Sequence, residues 1–259
     1  MRSYIHRYLA GESQQVWVEL RSASVNVRGQ EVYDDVLSVV MESAKRAMYN
    51  FTIIIRKLQE LNYLFISKSP FIQPSVDVRS YLDELETLCG LMPMIIRSWF
   101  EVVGHVNLSG THPSWLVCGD YELLSMYGVE SRLTALSKEA LCREKPFVKT
   151  YAFQTTSSLL SWYGHDRERF LEAGTIIGIN LWDDELIMAG DLEGVSEIVA
   201  PFAGADGYFL HKDANIAPTF IEYLRRSFEW GGFPGFANVP EELRPTEMLD
   251  YLREGLLPI

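Results

Sequence analysis

Apolar residues at Val36, Val40, Ala44, Ala47, Phe51, Ile54, Leu58 and Leu61 return every three or four positions, the period at which side chains share one face of an α-helix. No other feature limits the fold as strongly. The spacing predicts one long amphipathic helix over about 30–62, with Gly29 marking its start. Its stripe has to be buried, either as a layer over a core or against a partner. Ahead of it, Val16-Trp17-Val18-Glu19-Leu20 is a run of β-formers and reads as a short strand.

Beyond the long helix, Ser67-Lys68-Ser69-Pro70 and Pro74-Ser75 punctuate a connection. Tyr81, Leu82, Leu85 and Leu88 then mark a second helix that Gly90 can end in the left-handed conformation. Pro93 starts a third, because its fixed φ and missing N–H suit a first helical turn. Ile95, Ile96, Trp99, Phe100 and Val103 supply its buried face before Gly104, and the two helices are expected to pack together. From His105 the pattern changes. His105–Gly110, Thr175–Trp182 and Glu185–Ala189 are strand candidates, and Asp183-Asp184 is a tight connection in an antiparallel meander. Ser131–Leu141 has helical character.

Near the C-terminal end, Pro218 suits an early helical position, and Phe220 or Ile221, Leu224 and Phe228 form an apolar stripe that Gly231 and Gly232 stop. A last helix over about 246–254 ends at Gly255 and releases Leu256-Leu257-Pro258-Ile259. The run Trp230-Gly231-Gly232-Phe233-Pro234-Gly235-Phe236 is the least generic in the chain. Two roles fit it: an aromatic plug sealing the preceding helix against the sheet, or an exposed aromatic contact surface.

Composition narrows the function classes. The 259 residues are 47% hydrophobic, enough for a substantial core without disulfide or metal support. Cys89, Cys118 and Cys142 are odd in number and widely spaced, which matches a reducing, cytoplasmic setting and no zinc knuckle. The N-terminal residues lack an apolar signal region, and Phe51–Ile55 is too short to span a bilayer. Net charge is -12, which disfavours nucleic acid, since binding there relies on Lys and Arg displacing counterions. Basic proteins are favoured instead. The charge is also localised: no Lys or Arg lies between Arg169 and Lys212, whereas Glu172, Asp183, Asp184, Glu185, Asp191, Glu193, Glu197 and Asp206 do. The first 60 or so residues are nearly balanced.

Catalytic signatures are missing. The chain has no Gly-x-Ser-x-Gly elbow, no phosphate loop ending in Lys-Ser/Thr, no Gly-x-Gly-x-x-Gly turn and no His-Glu-x-x-His helix. His105 and His112, with Cys118 and Asp120, have the right chemistry for a metal or for acid–base work, but their spacing matches no compact ligand set. Satisfied or surface histidines are the plainer reading. His165 beside Asp166, and His211 beside Lys212 and Asp213, read as solvated turns. Asp183 and Asp184 are adjacent, so on a strand they face opposite ways and do not flank one bond as a glycosidase pair would. They read as a solvated turn or as part of an acidic binding face. No cofactor and no metal site are expected.

The segment Leu91-Met92-Pro93-Met94-Ile95-Ile96-Arg97-Ser98-Trp99-Phe100-Glu101-Val102-Val103-Gly104 resembles the leucine, proline, helix, aromatic and glycine order that opens domains of the SUKH superfamily. That superfamily includes cell-wall-assembly regulators and bacterial immunity proteins. The helix from Phe220 and its Gly-Phe-Pro-Gly exit are similar to the end of proteins of that group. The resemblance covers about 77–259, with no match placed over 111–170, and it implies a division into an N-terminal extension, 1–75, and a SUKH-like domain, 76–259. It also implies an α+β fold, with a curved antiparallel sheet flanked by helices. The activity it implies is stoichiometric binding, as of a nuclease toxin, with no catalytic residue to carry over. The expectation is therefore a non-enzymatic, immunity-type or regulatory protein that binds a basic protein through Asp183, Asp184, Glu185, Asp191 and Glu193. Pro93, Gly104 and Trp230–Gly235 shape the fold. The alternatives are an enzyme using His105, His112 and Asp120, and a structural component assembling through the 30–62 helix.

Overall fold

The apolar stripe builds a single long helix, and several of the other helices pack against it. The computed structural model describes residues 3–22, 31–65, 69–74, 76–89, 91–106, 108, 110–112, 175–179, 196–199, 203–210, 219–233, 236, 241 and 244–259. In chain order these form α1 (Tyr4–Leu9), α2 (Ser13–Ser22), α3 (Tyr33–Glu60), β1 (Leu64–Phe65), β2 (Phe71–Ile72), α4 (Val78–Cys89), α5 (Met94–Val102), β3 (His105–Val106), β4 (Gly110–Thr111), β5 (Thr175–Ile179), β6 (Ser196–Val199), β7 (Phe209–Leu210), α6 (Phe220–Glu229) and α7 (Thr246–Arg253). Helices predominate and the strands are short. No helix among the described residues is long and apolar enough to cross a membrane.

Along α3, Val36, Val40, Ala44, Ala47, Phe51, Ile54 and Leu58 are all buried, while Leu61 lies just past the helix end. Gly29 falls outside the described residues. Two residues past the helix, Asn62 has a φ of 58°. The Asn62 N–H bonds to Gln59 and the Tyr63 N–H to Leu58, a paired closure of the last-turn carbonyls. At its middle, the Phe51 ring meets Trp99 of α5 edge-on at 5.7 Å and Phe228 of α6 at 5.0 Å. Trp99 in turn meets Phe220 at 5.3 Å. These contacts make α3 a central element of the core.

The strand expected at Val16–Leu20 is instead part of α2. Val16, Trp17 and Leu20 are buried, but Val18 is 44% exposed and Glu19 pairs with Arg7 of α1. That is burial at i, i+1 and i+4, one face of a helix. The Trp17 Nε1–H has to reach a partner once the ring is buried, and it donates to Ser43 Oγ, which donates to the Tyr8 hydroxyl.

Helices α4 and α5 pack together, tied by Arg97, which pairs with Asp83 and Glu86 of α4 and Glu101 of its own helix. Pro93 stands one position before α5 as its N-cap residue. Val103 and Gly104 close the helix onto the Trp99 carbonyl, and a side chain at Gly104 would collide with the Ile72 carbonyl at 2.6 Å. The strand expected over His105–Gly110 is divided. β3 pairs antiparallel with β2, and β4 with β1, so residues before 75 pair with residues after it in both ribbons. Val106 and Leu108 both turn inward. β5, β6 and β7 form a three-stranded antiparallel ribbon in that order. Among the described residues the strands thus fall into three separate groups, since the large buried side chains come mainly from helices and the ribbons serve as connections. The candidates at 131–141 and 185–189 lie outside the described residues.

Helix α6 opens with a reciprocal cap. Thr219 Oγ1 accepts the Glu222 N–H and the Glu222 carboxylate accepts the Thr219 N–H. Pro218 lies outside the described residues. The chain is not released after Gly255, contrary to the sequence expectation. Ile259 is buried, and Leu256–Ile259 is bonded to α3 and α6.

Candidate functional site

Asp183, Asp184, Glu185, Asp191 and Glu193 lie outside the described residues, but the strands that bracket them do not. β5 ends at Ile179 and β6 begins at Ser196, and these two residues are direct antiparallel partners. In the sequence all five acids lie between these two paired residues. Another acid of the stretch between Arg169 and Lys212 is Asp206. Asp206 is 2% exposed and points into the fold.

Asp206 sits in a turn that joins the beginnings of two helices. The Gly204 and Ala205 carbonyls accept the N–H groups of Met94 and Ile95 at the start of α5. Asp206 Oδ1 accepts from Gly207 at 2.9 Å and from Ile221, in the first turn of α6, at 3.2 Å. Among the described residues its Oδ2 has no partner within ideal hydrogen-bond geometry. Burial pushes this carboxyl up to about 6, against the opposing effects of the Thr219 hydroxyl, the two N–H donors and Arg21. Arg21 pairs with Glu222 of the cap. Partial burial opposes ionisation of Glu222, but the Thr219 N–H and Arg21 prevail and hold its carboxyl below the usual range.

A second set of polar groups follows α3. Ser43, Asn50 and Lys57 are spaced two helical turns apart and all are buried on its apolar face. Each meets a different part of the chain: Ser43 the side chains of α1 and α2, Asn50 the main chain of Leu257, and Lys57 the carbonyls of Tyr251 and Glu254 at the end of α7. A polar residue in an apolar stripe was the sequence signal that found none of these partners. It marks where an α3-facing segment must supply a hydrogen bond.

In the Trp230–Phe236 run, Trp230 ends α6 and Gly231 and Gly232 take φ of 60° and 96°. The Gly231 N–H bonds to Phe228 and the Gly232 N–H to Ser227. A Cβ on Gly231 would lie 2.7 Å from the Leu252 Cβ of α7, so conformation and space both exclude a side chain. Phe233 is fully buried, 5.8 Å from the Tyr63 ring and 6.3 Å from Phe236. The segment seals α6 against α3, α7 and the start of the β1–β4 ribbon. Trp230 is half-buried and carries the Arg244 guanidinium over its ring at 4.9 Å. Pro234 and Gly235 lie outside the described residues. Beside Arg244, an open groove of about 540 Å³ separates the end of α3 at Leu61 from the first turn of α7 at Thr246 and Glu247.

For the histidine alternative, a ring nitrogen of His112 lies 2.8 Å from the Leu61 carbonyl, which ties β4 to the end of α3. His105 enters β3 opposite Ile72. Cys118, Asp120, His165 and His211 lie outside the described residues. No group of three or more His, Cys, Asp or Glu side chains able to hold a metal occurs among the described residues. Comparison with protein-family models, curated proteins and solved structures gives no significant match to the chain.

Proposed function

We propose that the protein is a non-enzymatic, cytoplasmic binding protein of immunity or regulatory type, and that its partner is a basic protein. The contact residues are Asp183, Asp184, Glu185, Asp191 and Glu193. The observation supporting this reading is the pairing of Ile179 with Ser196, since the sequence between these two residues carries all five acids and no Lys or Arg. Like charges this close in the chain repel one another until a cation arrives, and they attract basic surfaces. The resemblance of 91–104 and 220–236 to the SUKH superfamily supports the immunity form of the role, with a nuclease toxin as one basic partner. On this reading the β5–β6–β7 ribbon is part of a curved antiparallel sheet flanked by helices.

The test is affinity capture by the purified chain, alongside a variant carrying Asp183→Lys, Asp184→Lys, Glu185→Lys, Asp191→Lys and Glu193→Lys. The expected result is capture of a basic protein at low ionic strength, released near 0.5 M salt, where the screening length falls to roughly 4 Å. The variant is expected to lose it. Equal binding by the two chains would remove these residues from the interface.

A further inference from the structure

We draw no further inference here: the strongest candidate, the open groove between the end of α3 at Leu61 and the first turn of α7, with Arg244 at its edge, carries nothing because nothing in the structure shows what covers it.

Discussion

The Asp206 carboxylate accepts the main-chain N–H of Ile221 at 3.2 Å from inside the fold, and in doing so ties the turn that begins α5 to the first turn of α6. A carboxyl buried this deeply is costly when charged. This relationship makes the joint between the two helices sensitive to pH.

Its native pKa of about 6 lies above the ordinary aspartate value. The folded state therefore binds this proton more tightly than the unfolded chain. The resulting stabilisation is fully present below about pH 4 and is lost as pH rises through about 6. Two pKa units correspond to about 3 kcal/mol. Asp206→Asn keeps an acceptor for Gly207 and Ile221 without the charge. Urea unfolding of both proteins from pH 4 to pH 8 is expected to show the wild type losing stability relative to the variant by this order across that window. Parallel curves would contradict the buried position of the carboxyl.

Two glycines in the left-handed region are expected to respond differently to alanine. Gly255→Ala meets open space and pays only the conformational penalty, about 1 kcal/mol. Gly231→Ala carries the same penalty and also drives a methyl to 2.7 Å from Leu252, adding overpacking of about 1–3 kcal/mol. Denaturation midpoints measured side by side should place Gly231→Ala well below Gly255→Ala.

Lys57 is 6% exposed, and its ammonium bonds to the Tyr251 and Glu254 carbonyls and lies 4.5 Å from the Tyr251 ring centre. Lys57→Met keeps the length and apolar stem but leaves carbonyls at the end of α7 without their donor. A loss of about 2–3 kcal/mol is expected, with faster hydrogen exchange in α7 than in α5. Uniform exchange in both helices would show that Lys57 does not fasten α7 locally.

The long helix was legible because its period persists through several turns, and the end of α6 because paired glycines after an apolar stripe admit few other readings. Thr219 and Glu222 carry a cap signature at the right spacing, and that cap, rather than Pro218, marks the start of α6. Nothing in the sequence separates Asp206 from the other acids between Arg169 and Lys212, because one residue's burial leaves no periodic trace in a loop.

Local pattern alone determined that α3 exists and which face it buries, since helical periodicity is a property of neighbouring residues. The tertiary structure decided what fills that face. Val16–Leu20 is too short for its alternation to exclude a helix, and only packing against α1 and α3 turns Val18 outward. Ser43, Asn50 and Lys57 find their partners in α1 and α2, in Leu257 and in the end of α7 respectively. For Asn50 and Lys57 that partner lies about 200 residues away in the chain. A hydrogen bond across that separation depends on where the whole chain has folded, and no local pattern encodes it.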